Sequence, residues 1–233
     1  ERELVEVVRF LRERQVPFLP VGNWTNLIVR DGGFRGALIS LARLCGLSLR
    51  ENGEKGALIE AGAGCPLSEL VSLAVREALS GMAFCAGIPG SVGGAVRMNA
   101  GAYGGEIKDI VETVRLLDDS RAIRSVGKKE LRFEYRSLDL PAETIIIGAT
   151  FRLRKGAGRM IEEQVRKILD TRRGKHPLAF RNAGSIFKNP RDIPAGRLID
   201  ECGLRGLRIG DAEVSEKHAN FIVNRGQATA EQI

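Results

Sequence analysis

A glycine-rich run in the middle of the chain constrains its fold more than any other feature. The run GIPGSVGGAVRMNAGAYGGE, residues 87–106, has seven glycines in twenty positions. So many glycines cost too much chain entropy for a regular helix or strand. They suit a backbone that turns sharply and lets a ligand approach its N–H groups closely. Three or four glycines would indicate a structural turn, whereas seven favour a loop that binds a phosphate or a cofactor.

The positive charge is concentrated in the last third of the chain. Residues 1–150 contain 19 basic and 19 acidic residues, whereas residues 151–233 contain 17 basic and 10 acidic residues and account for the net charge of +7. This asymmetry indicates an anionic partner, either a phosphorylated small molecule or a nucleic acid. A basic solvated surface without a ligand agrees with the charge equally well.

Composition and cysteine spacing set the class of protein. The chain is 43% hydrophobic and 28% charged, which is typical of a soluble globular protein, and no apolar run approaches the ~18 residues of a membrane span. Cys45, Cys65, Cys85 and Cys202 have no metal-binding spacing, so no metal site is expected. We interpret them as reduced packing residues of a cytoplasmic protein.

Apolar periodicity predicts an α+β fold rather than a regular βαβ repeat. The predicted elements are a helix ending before Pro17, two strands that flank the turn-rich centre of residues 17–41, strands over 57–61, 110–117 and 144–153, a helix from Pro66 to Ser80 stopped by Gly81, and a helix after residue 159 that buries Ile161, Val165 and Ile168. The segment RKGAGR, residues 154–159, predicts a domain boundary, so we expect domains over 1–155 and 156–233.

Thr229 and Gln232 predict a capping box where the chain stops, and the chain begins inside a helical pattern. We therefore expect a chain trimmed at both ends.

Three further segments contain residue types that suit a ligand site. The segment AGAG, residues 61–64, follows a strand and precedes a helix, but the third glycine of a dinucleotide fingerprint is absent, so a close turn is the better interpretation. The segment GNWTN, residues 22–26, would be an ordinary turn alone, but together with the glycine-rich run it suggests two loops that bind one dinucleotide.

In the third segment, NAGSIFKNP, residues 182–190, no GxSxG motif surrounds Ser185. A cap or turn role for Ser185 is favoured on sequence alone, with a hydroxyl proton donor as the functional alternative.

Seven segments in order resemble the UDP-N-acetylenolpyruvoylglucosamine reductases, a family of flavoenzymes of peptidoglycan precursor synthesis. They are GNWTNLIVRDGGFRG, AGAG, GIPGSVGGAVRMNAGAYGGE, FEYR, NAGSIFKNP, AGRLIDECGLRGLRIG and VSEKHANFIVN. The resemblance implies non-covalent FAD on a domain of the vanillyl-alcohol-oxidase (PCMH) type, followed by a smaller α+β domain for a UDP-sugar. It also implies NADPH as the reductant. We further expect a monomer that neither binds nucleic acid nor inserts into a membrane.

The resemblance also implies a role for individual residues. The cofactor-binding residues would be Gly22, Asn23, Trp24, Thr25, Asn26, Gly87, Ile88, Pro89, Gly90, Ser91, Gly93 and Gly94. Arg136 of FEYR would stabilise negative charge that develops on the substrate, and Ser185 would donate the proton. Lys175, Asn189, Arg205 and His218 match positions that contact the substrate, each with a solvated surface residue as the alternative.

Two departures and one missing group qualify the resemblance. Trp24 stands where the family usually has a small residue, often glycine, and the short connection after Ser185 places the chain with the subtype that lacks an extra substrate loop. The family's third catalytic group is a glutamate that would follow Ile233, so we expect the chain as given to turn over poorly. The alternatives are another FAD oxidoreductase of the same cofactor fold, or a non-catalytic nucleotide or nucleic-acid binder. Few aromatic residues, 5% of the chain, argue against nucleic-acid stacking.

Overall fold

The computed structural model describes residues 1–54, 56–118 and 122–233 and divides the chain into two compact units. The first unit comprises Glu1–Asn23 and Arg35–Leu169, and the second comprises Trp24–Phe34 and Asp170–Ile233. The second unit thus includes a segment from early in the chain, which no shift of composition marks. The functional domain limits expected from the sequence, 1–155 and 156–233, stay predictions.

The first unit contains the main sheet and most of the helices. Its elements in chain order are α1 (Arg2–Glu13), β1 (Phe18–Val21), β2 (Ala37–Ser40), β3 (Leu47–Gly53), β4 (Gly56–Gly62), α2 (Leu67–Arg76), β5 (Leu79–Ser80), α3 (Val92–Arg97), β6 (Gly101–Ala102), β7 (Gly105–Glu106), α4 (Ile107–Ile110), β8 (Val111–Leu117), β9 (Ile123–Gly127), β10 (Phe133–Glu134), β11 (Ser137–Leu138) and β12 (Ile145–Lys155). Short 3-10 turns cover Ala83–Cys85 and Lys128–Glu130. The helix α5 (Gly158–Lys175) begins in this unit and ends in the second.

The main sheet is antiparallel, with strand order β3–β4–β12–β8–β9 and with β5 paired to the end of β12. The central strand β12 is buried at every position from Ile145 to Ala149, as expected for a strand that is covered on both faces. On one face it packs against α3. Strands β1 and β2 form a separate parallel pair, and two short hairpins, β6–β7 and β10–β11, lie outside the main sheet.

The second unit is built around a small antiparallel sheet. It contains α6 (Ala195–Glu201), β13 (Arg208–Ile209), β14 (Ala212–Val214) and β15 (Ile222–Asn224), with the strands in the order β13–β14–β15. The predicted capping box is present, because Gln232 N donates to Thr229 Oγ1 at 3.3 Å and Thr229 N donates to Gln232 Oε1 at 3.2 Å. No helix in the described ranges is long and apolar enough to cross a membrane.

Most predicted elements are confirmed, but the second helix is shorter than predicted. It ends at Arg76 rather than Ser80. Ala78 adopts a left-handed φ of 52°, which turns the chain so that Leu79 and Ser80 pair with β12 as β5. The strand contact overrides the helix propensity of this segment.

The packing role predicted for the cysteines holds for two of the four. Cys65 and Cys85 are buried, and all four thiols are free. Burial raises the pKa of the Cys65 thiol to about 11, which makes it unreactive at neutral pH. The prediction is wrong for Cys45 and Cys202, which are exposed.

The central strand generates a stability prediction. Phe151 in β12 is 0% exposed, so Phe151→Ala is expected to lower the free energy of unfolding by about 3–5 kcal/mol through lost burial and the cavity left behind. Denaturant unfolding of both proteins measures the difference. Arg154→Gln, at an exposed position of the same strand, is the control and should change stability by less than about 0.5 kcal/mol.

Candidate functional site

The two predicted glycine segments meet in the first unit. Gly22 directly follows β1, and a β-carbon at this position would overlap the hydroxyl of Ser91. Ser91 is 3% exposed and caps α3 by accepting a hydrogen bond from Gly94 N at 3.5 Å. Only a glycine therefore lets the chain leave β1 this close to the start of α3.

The loop over residues 87–94 is held against the AGAG turn between β4 and α2. Gly93 N donates to Ala63 O at 2.8 Å, and Val92 N donates to Cys65 O at 2.9 Å. A β-carbon on Gly93 would lie 2.8 Å from the Ala63 side chain, so the close approach requires glycine. The interpretation of AGAG as a close strand-to-helix turn is confirmed.

The same loop presents backbone donors that the protein does not use. Gly87 and Gly90 have φ values of 71° and 122°, which favour glycine. The N–H groups of Gly87, Gly90 and Ser91 have no hydrogen-bond partner within residues 1–54, 56–118 and 122–233. Unpaired N–H groups in successive turns form a concavity that attracts anions. This geometry suits a diphosphate.

The segment GNWTN runs from the end of β1 into the second compact unit. Trp24 has a left-handed φ of 59° and is 49% exposed. This conformation favours glycine over a bulky residue. Asn23 and Asn26 are exposed and Thr25 is half-buried.

Arg136 lies in the tight turn between β10 and β11. It has a left-handed φ of 58°, and its Nη2 donates to the carbonyl of Gly101 at 2.7 Å. The guanidinium carbon lies 5.0 Å from the centre of the Tyr135 ring. A permanently charged donor group is therefore fixed next to the β6–β7 hairpin, which is the second half of the glycine-rich run.

Ser185 is exposed, on a loop that the second unit holds firmly. It forms an isolated bridge with Phe221, and the amide side chain of Asn220 exchanges two hydrogen bonds of 2.9 Å with the backbone of Phe187. Gly184 has a φ of 80°. The Ser185 hydroxyl caps no helix or turn in the part of the chain that the structure describes, so it is available to a ligand.

The other residues matched to substrate contacts differ in their surroundings. Lys175 is exposed near the end of α5, and Asn189 Oδ1 accepts from Ala195 N at 3.0 Å, at the start of α6. Arg205 forms an ion pair with Asp200, with 3.0 Å between Nη2 and Oδ2, and it also donates to Glu216 O. Hydrogen bonds from Arg205 lower the pKa of Asp200. A diphosphate at Arg205 must therefore compete with a carboxylate.

His218 belongs to an aromatic cluster with His176 and Phe221, with ring centres 4.8–5.5 Å apart. Burial lowers the pKa of His218, and its Nδ1 accepts from Asn220 N at 3.3 Å. The neutral ring therefore has its proton on Nε2, which can donate to a ligand. Burial is also the largest cause that lowers the pKa of His176, to about 4, followed by the charge of Arg172.

Sequence reasoning missed the residues that fix these loops from a distance. The Asp31 carboxylate accepts hydrogen bonds from Ala230 N and Glu231 N at 2.8 and 3.1 Å, so it caps the last turn of the second unit. Nothing in the local pattern pairs residues so far apart in sequence. The partial burial of His176 could not be predicted from the sequence either, because lysine and arginine residues precede it.

Two comparisons define the class of protein. Residues 1–126 match a family described as an FAD binding domain. A solvent-stable cholesterol oxidase superposes on 66% of this chain and 33% of its own, with a TM-score of 0.51 and 20% identity, which shows a shared fold alone. The first unit is therefore an FAD-binding fold of the PCMH type, joined to a second α+β unit, as the sequence predicted.

The particular family follows from the closer relatives. Residues 176–233 match the C-terminal domain of UDP-N-acetylenolpyruvoylglucosamine reductase. The reductase of Syntrophus aciditrophicus (strain SB) is 53% identical over 99% of this chain and 74% of its own length. The crystal structure of the Thermus caldophilus enzyme is 38% identical, with a TM-score of 0.82 over 96% of this chain and 80% of that one. The chain belongs to the UDP-N-acetylenolpyruvoylglucosamine reductase family.

The close approach of Gly22 to Ser91 generates a binding prediction. Gly22→Ala is expected to push Ser91 and the start of α3 away from β1 and to weaken FAD binding at least ~10-fold, a change of about 1.4 kcal/mol. Titration of the flavin-free chain with FAD, followed by flavin fluorescence, measures the affinity. Gly46→Ala is the matched control, because a β-carbon there meets no atom within 4 Å. Equal affinity of the two variants would contradict the role given to Gly22.

The aromatic cluster generates a pH prediction. The pKa of His176 is about 4, below the ordinary value of about 6.5 that holds in the unfolded chain, so the unfolded chain binds the proton more readily. The stability contributed by neutral His176 is complete above pH 6.5 and is lost as the pH falls towards 4. Between pH 7 and 5 we expect a loss of about 1 kcal/mol after allowance for solvent screening. Denaturant unfolding measures it, and His176→Phe should reduce the loss. An unchanged pH dependence would contradict this assignment.

Proposed function

We propose that this chain catalyses the reduction of UDP-N-acetylglucosamine enolpyruvate to UDP-N-acetylmuramate, with bound FAD and with NADPH as the reductant. The observation that carries the proposal is the 53% identity to the Syntrophus aciditrophicus reductase over 99% of the chain. Likeness over both units supports the same substrate as well as the same cofactor. The reaction belongs to peptidoglycan precursor synthesis, and through it to cell wall biogenesis, cell shape and cell division.

FAD fits the residues that the first unit provides. The unused N–H groups of Gly87, Gly90 and Ser91 are proposed to donate to its pyrophosphate, and the absence of a β-carbon at Gly22 keeps the neighbouring segment close. When bound, FAD supplies a group that takes hydride from NADPH and passes it to the enolpyruvyl double bond. The other residues proposed to hold it are Asn23, Trp24, Thr25, Asn26, Ile88, Pro89, Gly93 and Gly94.

Arg136 and Ser185 are the proposed catalytic residues. Hydride addition to the enolpyruvyl carbon–carbon double bond leaves negative charge next to the substrate carboxylate. Arg136 is suited to stabilise this charge because its guanidinium stays charged and is already oriented by Gly101 O. The exposed Ser185 hydroxyl then donates the proton that completes the new C–H bond. Its ordinary acidity is weak, so the donation depends on placement against a strongly basic carbon.

The second unit is proposed to bind the UDP-sugar. Lys175 and Arg205 provide positive charge for the diphosphate, and the Nε2 proton of His218 and the amide of Asn189 provide neutral donors. The excess of basic residues in the last third of the chain supports an anionic ligand there. The proposed division of labour places FAD on residues 1–155 and the substrate on 156–233.

The alternatives and the finer expectations have less support. Another flavin oxidoreductase of the same cofactor fold is not favoured, because the reductase C-terminal family matches residues 176–233. A non-catalytic nucleotide or nucleic-acid binder does not account for the match to an FAD-binding family. We also propose a cytoplasmic location, a monomer and no affinity for nucleic acid.

The absorption spectrum of the purified chain tests the cofactor half of the proposal. A visible flavin band that remains with the chain after desalting, either as purified or after incubation with FAD, is the expected result. Loss of the band on addition of NADPH, and its return on addition of the enolpyruvyl UDP-sugar without oxygen, tests the reaction. A folded chain that binds no flavin would overturn the proposal. If the band returned but no UDP-N-acetylmuramate formed, the enolpyruvyl UDP-sugar would be excluded as the hydride acceptor.

The proton donor generates a kinetic prediction. Ser185→Ala is expected to slow the oxidation of bound reduced flavin by the UDP-sugar ~10²–10⁴-fold, the range for loss of a general acid. Reduction by NADPH should stay within two-fold, because the hydroxyl has no part in it. Anaerobic stopped-flow absorbance measures each half-reaction separately. Ser125→Ala, at an exposed position in β9, is the control. Equal slowing of both half-reactions would indicate a structural role for Ser185.

A further inference from the structure

A buried amide side chain links the glycine-rich run to the turn that holds Arg136. Asn99 is 0% exposed. Its Nδ2 donates to Glu106 Oε2 at 2.6 Å and to Glu134 O at 3.0 Å, while its Oδ1 accepts from Lys108 N at 3.0 Å. Every polar atom of the side chain is thus used, and the two acceptors on one side fix the orientation of the amide.

Two of the three partners, Glu106 and Lys108, lie at the start of α4, and the third, Glu134, lies at the end of β10. Glu106 caps α4, with its backbone N–H donating to Asp109 Oδ2 at 2.9 Å, and its carboxylate also pairs with Lys108. Glu134 is the last residue of β10 and lies two positions before Arg136. One side chain therefore ties the start of a helix to the turn that contains Arg136.

Arg136 returns to the same segment through its own side chain. Its Nη2 donates to Gly101 O at 2.7 Å, and Gly101 lies two residues after Asn99. Two hydrogen bonds therefore join the same two segments in opposite directions. The Asn99 side chain donates to the backbone of the Arg136 turn, and the Arg136 side chain donates to the backbone near Asn99. A long side chain joined at both ends loses most of its freedom to move.

We propose that Asn99 is a positioning residue that orients the Arg136 guanidinium for the reaction. The inference rests on the proposed function, in which Arg136 stabilises charge on the substrate. Asn99 itself touches no reacting atom. Its amide donates to Glu134 O and so fixes the backbone of the turn that contains Arg136. From this fixed turn, the Arg136 guanidinium reaches Gly101 O.

Asparagine is the residue that this position requires. The backbone φ of Asn99 is 39°, a left-handed conformation that asparagine and glycine tolerate better than other residues. Aspartate would have the same shape but would direct a carboxylate at Glu106 and at a carbonyl. Glycine would keep the backbone conformation and remove all three side-chain hydrogen bonds. The variants Asn99→Asp and Asn99→Gly therefore separate the side chain from the backbone.

The first experiment measures the two half-reactions in each variant with bound FAD. We expect oxidation of the reduced flavin by the UDP-sugar to slow at least 10-fold, while reduction by NADPH and FAD affinity stay within three-fold. In an Arg136→Ala background, Asn99→Gly should slow that oxidation less than two-fold further, because residues that act as a unit are not additive. Arg132→Gln, which removes an exposed ion pair in the same hairpin, is the matched control.

A second measurement needs neither flavin nor turnover. Hydrogen exchange of the flavin-free chain should show at least 10-fold faster exchange over residues 131–140 in both variants and no change in Arg132→Gln. Equal slowing of both half-reactions, loss of FAD binding, or loss of the cooperative unfolding transition would show that Asn99 is only structural and would overturn the inference. Additive effects with Arg136→Ala would overturn it as well. If NADPH failed to reduce the bound flavin of the unsubstituted chain, or if the UDP-sugar failed entirely to oxidise the reduced flavin, the proposed function would instead be overturned, and this inference with it.

Discussion

The structure depends on the close packing of three backbone segments that have no room for β-carbons. A β-carbon on Gly62 or Gly64 would overlap a carbonyl oxygen of residues 41–44, and one on Gly93 would collide with Ala63. Gly64 N donates to Leu44 O at 2.9 Å, and Ala63 N donates to Ile147 O at 3.0 Å in the central strand β12. The sheet, the AGAG turn and the proposed cofactor loop are thus joined directly by main-chain hydrogen bonds. The unused N–H groups of the loop stay in place because the backbone behind them is fixed.

Local patterns predicted the elements whose residues are buried by their own neighbours. The strands near 57–61, 110–117 and 144–153 and the helix after residue 159 are confirmed, because apolar runs and helical spacing report burial directly. The early end of α2 at Arg76 could not be predicted from the sequence. It depends on the pairing of Leu79 and Ser80 with β12, a contact with a strand that lies far away in sequence. For the same reason the segment Trp24–Phe34 joins a unit made mostly of later residues.

The candidate site was predictable where glycine marks a close approach and unpredictable where a polar side chain acts at long range. Gly22 and Gly93 were selected from their density and motif, and the structure gives each a contact that excludes a side chain. Asp31 and Asn220 were not selected, since each binds backbone groups of a distant segment. Arg205 was selected for its charge, but its pairing with Asp200 shows that a basic residue in a basic region need not be free for a ligand.

Left-handed residues other than glycine concentrate in the segments proposed to carry the function. Trp24, Asn99, Tyr103 and Arg136 all have φ between 39° and 59°. Each such conformation costs on the order of 1 kcal/mol or more, and persists only where the surrounding contacts determine it. Arg136 and Asn99 hold each other's segments by hydrogen bonds, so the strained turn is stabilised by the groups that it positions. In the proposed mechanism, this mutual support would orient the guanidinium before substrate binds and so lower the entropy that the reaction would otherwise lose in orienting it.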